Sequence, residues 1–436
     1  ANKASQDFIG ETIMNKYTIE DPLYSKYSSK EMQQVFSTNN KIYIWRKLWC
    51  VLADAEQQSG LDIITDDQIK EMMGNVNNID FKLAGEYEKR LKHDVMSHIC
   101  TYGECCKNAE PIIHLGATSS FITDNCELIQ MYDAINIVII KLKSLIQSMV
   151  RIAKKHKKVV CVGFTHGQPA QLTTYGRRIV GYIHDLMYDL DNLLHIKANY
   201  KLRGVKGSIG TQSSFKWLLD NYSKVKELDI GITGVFGFEP LEITAQTYTR
   251  KIDYTILSTL SGIAQSASKF ATDIRILQSK GEINEGFSNK QVGSSAMPYK
   301  RNPIIAERIC ALSRYMISLP ANSAITSATQ WLERSLDDSA NRRIVNTQAF
   351  LTVDAILILY QRIIKDLTLD IGVIEKHVQE EMPFVTTESI LNLATKRGAN
   401  RQQIHAIIRD KSTIAIDNDW NKHLVMSILS HSQVSK

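Results

Sequence analysis

The run Gly293-Ser294-Ser295-Ala296-Met297-Pro298-Tyr299-Lys300-Arg301-Asn302-Pro303 joins a glycine, a hydroxyl pair, prolines and a cationic pair, with little that a hydrophobic core could use. Such a composition suits the holding of an anion. Gly293 lets the backbone bring N–H groups close to a ligand, Ser294 and Ser295 supply hydroxyls, and Pro298 and Pro303 restrict the chain. Lys300 and Arg301 supply the charge. A basic surface turn uses the same residue types, so the run gains meaning only beside the other polar segments.

Lys92-His93-Asp94-Val95-Met96 and His114-Leu115-Gly116-Ala117-Thr118-Ser119-Ser120 form one such group. His93 beside Asp94 is open to reading as a surface pair. Gly116 with the Thr118 and Ser119 hydroxyls makes a small-anion seat before a helix expected near Asp124, where free N–H groups and the positive dipole end favour carboxylate or phosphate. Thr165-His166-Gly167-Gln168-Pro169-Ala170-Gln171-Leu172-Thr173-Thr174 reads as a polar interruption. A histidine there can exchange a proton near neutral pH, although on its own such a residue is more often structural. Arg203-Gly204-Val205-Lys206-Gly207-Ser208-Ile209-Gly210-Thr211-Gln212 matches neither dinucleotide nor P-loop spacing and follows a helix. It reads as a flexible loop near a ligand. In Glu333-Arg334-Ser335-Leu336-Asp337-Asp338-Ser339-Ala340-Asn341-Arg342-Arg343 the arginines outrun what the local acids can neutralise, leaving planar forks for carboxylate or phosphate, or simply a charged helix start.

The elements that position these residues are helical. Between Ile129 and Ile152, apolar residues recur at three- and four-residue steps, which predicts one helix with a wide apolar stripe. A second continuous stripe is expected over Gln246 to Ile283, reaching roughly 55 Å if helical throughout. Similar patterns cover Gly176 to Leu202, Pro303 to Leu319 and Arg343 to Leu367, while strand signals are short, as at Val159 to Val162. Long stripes of this kind bury themselves against one another in a bundle. The expected organisation is a helical region over 1–115, a central long-helix bundle over 116–367 and a smaller helical region over 368–436. Stripes wide enough for more than one neighbour predict a symmetric oligomer.

The 436 residues, 44% hydrophobic with a net charge of +6, describe a soluble globular chain. Lys154-Lys155-His156-Lys157-Lys158 ends an apolar stripe and reads as a solvated helix end. Without an RNA- or DNA-binding module beside it, no nucleic-acid partner is expected. Cys50, Cys100, Cys105, Cys106, Cys126, Cys161 and Cys310 lack C-x-x-C spacing, and no signal peptide opens the chain, so a reducing, cytoplasmic setting follows. Cys105-Cys106 near His98 lacks a further ligand at zinc spacing. No metal site is predicted. No apolar run is long enough to span a membrane.

Taken together, the segments around His114, His166, Ser294 and Ser339 resemble the adenylosuccinate branch of the fumarase and aspartase superfamily. Ser294-Ser295-x-Met297-Pro298-x-Lys300-x-Asn302-Pro303 carries the superfamily resemblance, and the stretches Leu336–Ile344 and Thr165–Thr174 narrow it to the branch, over about Asp21 to Asp410. The C-terminal region looks shorter than is usual there. The resemblance implies an all-α, three-region subunit in a homotetramer, with loops from three chains meeting at each active site. It implies carbon–nitrogen cleavage of adenylosuccinate to AMP and fumarate, and of SAICAR to AICAR and fumarate, in purine synthesis and without a cofactor. A sister lyase acting on argininosuccinate and a non-catalytic oligomer of the same fold are the rival readings.

Under this resemblance Ser294 is the base and needs Lys300 and loop N–H groups to support its alkoxide. His166 is the general acid, oriented and charged by Glu307. Thr118, Ser119, Thr165, Lys300 and Asn302 surround the succinyl part. Lys92, His93, Asp94, Gln246, Arg308, Arg334, Leu336, Ser339 and Arg343 surround the nucleotide and its phosphate. Lys26, before Tyr27, stands where the family usually has arginine; it keeps the charge without the bidentate fork, and weaker phosphate binding is expected.

Overall fold

The computed structural model describes residues 20–287, 292–418, 423–431 and 433–434. A short π-helical turn, Leu23–Tyr27, is followed by α1 (Lys30–Val35), α2 (Thr38–Gln58), α3 (Asp66–Gly74), α4 (Phe81–Leu91) and α5 (Asp94–Cys105). Each of these five helices opens on a side chain that accepts first-turn N–H groups, namely Ser29, Ser37, Thr65, Asp80 and His93. Next come α6 (Ser119–Lys155), the hairpin of β1 (Val160–Thr165) and β2 (Gln168–Thr174), α7 (Tyr175–Ala198), β3 (Lys201–Leu202), α8 (Ser213–Leu219) and α9 (Tyr222–Val235). The chain continues through β4 (Glu239–Pro240), α10 (Lys251–Ser279), β5 (Ile283–Asn284), α11 (Ile304–Ser318), α12 (Pro320–Thr329), α13 (Asp338–Asp366), β6 (Thr368–Leu369), α14 (Ile371–Lys396), α15 (Arg401–Asp417) and α16 (Leu424–Leu429).

The chain divides into two compact units, each built from three stretches: 1–143, 188–267 and 311–358, and 144–187, 268–310 and 359–436. In the first unit the predicted stripe of α6 buries Met131, Ile135, Val138 and Leu142, while Leu257, Leu260 and Ile263 of α10 and Phe350, Leu351 and Val353 of α13 are equally covered. Asp354, on α13, is fully buried and accepts from Ser29 N at 2.6 Å and from Lys141, so its charge is compensated inside the core. In the second unit Phe270 of α10 stacks on Tyr360 of α13 at 4.0 Å and meets the edge of Tyr182 of α7 at 5.3 Å.

Several expectations shift. The second stripe does not run helical from Gln246 to Ile283: α10 holds 29 residues, about 43 Å. Its start is held back because Gln246 N donates to Glu333 O and Tyr248 N to the Asp124 carboxylate, which commits those groups outside a helix. Its end is set by Gly281, at φ 76°, with Glu282 N turning back to Leu277 O. The helix expected near Asp124 begins five residues earlier, at Ser119. The segment from Thr165 to Thr174 is not a loop but a turn and strand of the β1–β2 hairpin.

Nor is the glycine-rich basic segment a loop with free cations. Arg203 is fully buried and donates to the carbonyls of Gln246, Gly204, Lys206 and Gly207, while Lys206 pairs with buried Asp229. Those cations are consumed internally. The Lys154–Lys158 run, by contrast, closes α6 with its lysines exposed, as expected. All seven cysteines are unpaired. Among the described residues α13 is the one helix whose length and composition pass for a membrane span, and 72% of its most apolar window is buried within the fold.

Candidate active site

In the first unit, eight residues singled out in the sequence line one cavity of about 760 Å³: Lys92, His93, Asp94, Ser119, Arg334, Leu336, Ser339 and Arg343. They arrive from helix ends. Lys92 closes α4 in the left-handed region at φ 54°, which turns the chain so that His93 can cap α5. His93 Nδ1 accepts from Met96 N at 3.3 Å, so the neutral ring carries its proton on Nε2. Asp94 accepts from Arg343 at 2.9 Å. Ser119 begins α6 and Ser339 sits in the first turn of α13, so the positive dipole ends of two helices contribute to the wall.

Arg334 ties the wall together. One of its terminal nitrogens donates to Ser120 Oγ at 2.8 Å and to Gln246 Oε1 at 3.1 Å, and Gln246 in turn donates to Thr118 Oγ1 at 3.3 Å. Its Nε is buried and has no partner among the described residues. Arg250 and Arg342 also line the cavity but are committed elsewhere. Arg250 pairs with Asp124 at 3.3 Å and Asp338 at 2.7 Å; Arg342 pairs with Asp253 at 2.6 Å and Glu127 at 2.7 Å. Arg343, half-exposed, is paired with Asp94, so the cavity-lining cations without a carboxylate partner among the described residues are Arg334, Lys92 and Lys41.

Lys41, Asp124, Glu127, Gln130 and Arg250 are wall residues that reading the sequence missed, whereas Arg342, read there as a fork for a ligand, is taken up by Asp253 and Glu127. A signal existed for three of them: Asp124, Glu127 and Gln130 repeat every three residues and so share one polar face at the start of α6. Lys26 and Tyr27 lie on the short π-helical turn and are not among the lining residues. Beneath the site, His114 adopts φ 71° and accepts from Trp49 Nε1 at 2.9 Å. Burial, and then the nearby His93, push its pKa down to about 4, so it serves as a neutral acceptor.

In the second unit, Thr165 ends β1 and His166 occupies the exposed hairpin turn at φ 53°. The loop from Gly293 to Pro303 folds on itself. Ser294 Oγ accepts from Met297 N at 3.1 Å and Ala296 N at 3.3 Å, Lys300 N donates to Met297 O at 3.0 Å, and Asn302 Nδ2 donates to Gly293 O at 2.9 Å. Gly293 is required there, because a Cβ would sit 1.9 Å from the Lys300 carbonyl oxygen. Lys300 and Glu307 are exposed and Ser294, Asn302 and Arg308 half-buried. Among the described residues of one chain, no hydrogen bond or ion pair joins His166 to Glu307.

Serine, histidine, lysine and carboxylate are the side-chain types that acid–base chemistry uses, and the cavity of the other unit gathers cations and hydroxyls suited to an anionic ligand. The fold matches that of 3-carboxy-cis,cis-muconate lactonizing enzyme from Pseudomonas putida, with TM-score 0.82 and 20% identity, covering 95% of this chain and 92% of that one. It also matches fumarate lyase from Mesorhizobium sp. BNC1, with TM-score 0.81 and 16% identity, covering 95% of each chain. A family model described as Lyase matches residues 16–317, which sets the class.

Adenylosuccinate lyase of Saccharomyces cerevisiae is 45% identical over 392 residues, 89% of this chain and 81% of that protein. The enzyme of that name from Schistosoma mansoni is 45% identical over 396 residues, covering 90% and 82%, and that of Methanocaldococcus jannaschii 32% identical over 421 residues, covering 95% and 89%. The chain belongs to the adenylosuccinate lyase family.

Proposed function

We infer that this chain cleaves adenylosuccinate to AMP and fumarate, and SAICAR to AICAR and fumarate, by β-elimination of the carbon–nitrogen bond. The observation that carries the substrate class is the gathering of Arg334, Arg343, Ser339 and the α13 N-terminus around one cavity. A guanidinium fork beside a helix N-terminus suits a nucleotide phosphate rather than a second guanidino group.

Elimination needs a base for the proton on the carbon beside a carboxylate, an acid for the departing amine, and cations for the dianionic intermediate. We assign the base to Ser294. A hydroxyl ionises only with help, and the Ala296 and Met297 N–H groups already point at its Oγ, the donors an alkoxide requires. Lys300 adds charge and, with Asn302, Thr118, Ser119 and Thr165, holds the succinyl carboxylates. His166 gives its proton to the amine nitrogen and Glu307 orients and charges that imidazole. The electron pair of the broken carbon–hydrogen bond becomes the double bond of fumarate as that of the carbon–nitrogen bond leaves with the amine. His93, Asp94, Gln246, Arg308, Arg334, Leu336, Ser339 and Arg343 hold the nucleotide.

We propose a cytoplasmic homotetramer in which neighbouring subunits complete each site, and keep the three-region organisation, 1–115, 116–367 and 368–436, as its frame. The solvent-facing position of Lys300, His166 and Glu307 in one chain supports that arrangement. The test is the ultraviolet absorbance change on adenylosuccinate, with Ser294→Ala as control and argininosuccinate as counter-substrate. Turnover that falls by about a thousandfold or more in the variant, with KM little changed, is expected. Unchanged turnover removes Ser294 as base, activity on argininosuccinate alone moves the chain to a sister lyase, and silence on both favours a non-catalytic oligomer.

A further inference from the structure

The loop that carries Ser294 and Lys300 leaves α10 and rejoins the fold at α11, and its ends are tied by side chains that the reaction does not use. Gln278, in the last turn of α10, accepts from Glu285 N at 3.0 Å through Oε1 and donates to Arg301 O at 3.0 Å through Nε2. Its amide thus bridges the incoming and outgoing ends of the loop. Glu285, 1% exposed, accepts from Ile305 N at 2.9 Å and Ala306 N at 2.8 Å, each carboxylate oxygen taking one first-turn N–H of α11. Both bonds cross twenty or more residues of sequence.

The incoming end is itself rigid. Ile283 and Asn284 pair with Leu369 and Thr368 as β5 and β6, and the preceding Glu282 accepts from Tyr175 at 2.8 Å and lies 3.0 Å from His377 Nδ1. The outgoing end carries Glu307 and Arg308 directly after the residues that Glu285 holds. Gln278 therefore bears on Arg301, between Lys300 and the Asn302 that holds Gly293 O, while Glu285 bears on the turn that carries Glu307.

We propose that Glu285 and Gln278 are positioning residues for the elimination: together they clamp the stem of the Gly293–Asn302 loop and fix the first turn of α11 relative to it. The proposal rests on the activity inferred above. Glu285→Gln keeps the shape but turns an NH2 toward one of two N–H donors, breaking one bond by repulsion. Gln278→Ala removes the bridge from a half-buried site with little packing loss. Because a misplacement on the scale of 1 Å costs about a hundredfold in rate, kcat on adenylosuccinate should fall by about tenfold to a hundredfold in each variant. KM, set mainly by nucleotide contacts in the other unit, should stay within about threefold.

The second readout is amide hydrogen exchange on the purified full-length protein. Peptides covering Gly293–Asn302 should exchange faster in both variants, while those from α6 keep the parent's protection. A kcat within about twofold of the parent in both variants overturns the clamp, as does faster exchange spread equally through α6, which would mark a merely structural role. An inactive parent would instead sink the assigned reaction, and the exchange comparison would still decide the clamp.

Discussion

Arg342 stands at the centre of a buried charge network in the first unit, and removing it has a consequence that can be worked out in size and in pH dependence. Its Nε donates to Asp253 at 2.6 Å, a terminal nitrogen donates to Glu127 at 2.7 Å and to the Tyr248 hydroxyl, and the Arg342 and Asp253 side chains are only 5% and 1% exposed. Burial alone raises the Asp253 carboxyl; the charge and hydrogen bond of Arg342, helped by Arg250 and Tyr248, outweigh it and hold that carboxyl below the usual range. Arg342→Met keeps the apolar stem and removes the cation, which leaves Asp253 in the core without its main partner. Breaking a buried pair from one side costs about 3–5 kcal/mol.

The sign follows from linkage. A carboxyl depressed in the fold adds stability that is present above its unfolded value of about 3.9 and is lost as pH falls through the folded value. The parent therefore holds the whole contribution at pH 7.5. In the variant the carboxyl takes up a proton more readily, and each unit by which its folded value exceeds the unfolded one costs about 1.4 kcal/mol at high pH. The deficit should be greatest at pH 7.5 and narrow toward pH 5. Denaturant unfolding of both proteins at pH 7.5, 6 and 5 measures it. A deficit below about 1 kcal/mol at pH 7.5, or one that is flat with pH, would refute the reasoning.

Glu56 has both carboxylate oxygens buried without a partner among the described residues, and burial pushes its pKa up to about 8. A folded value above the unfolded one costs stability as pH rises from about 4.3 toward 8, so Glu56→Gln should gain on the parent between pH 5 and pH 8, by up to about 4 kcal/mol in unfolding experiments; a constant gap would count against it. Lys26→Arg restores a bidentate fork on the exposed turn before Tyr27, and the KM for adenylosuccinate should fall by about threefold. An unchanged or raised KM in steady-state assays would remove Lys26 from phosphate binding.

The sequence alone determined that long helices with apolar faces dominate and which residue types the Gly293–Pro303 run offers. Apolar steps of three and four in α6 and α10 set which faces would be buried, since only those faces can leave water together. Ser37, Thr65 and Asp80 cap α2, α3 and α4 within the same few residues, a local signal that reading the sequence left unused. Residue type likewise marked the Gly293–Pro303 run, since glycine, hydroxyls and cations in one short stretch serve an anion better than a core.

Tertiary structure alone decided which charges are free. Arg203 and Lys206 looked available and are buried by carbonyls and Asp229, whereas Arg334 keeps a buried donor without a partner among the described residues; neither fact can be read from neighbours in sequence. The same holds for α10, shortened by bonds from Gln246 and Tyr248 to Glu333 and Asp124, and for the meeting of Glu285 with Ile305 and Ala306. The reason is physical. Periodicity and capping are settled within a turn or two of chain, but the partner of a buried charge comes from whichever distant segment packing brings within about 3 Å, and desolvation then fixes the pairing.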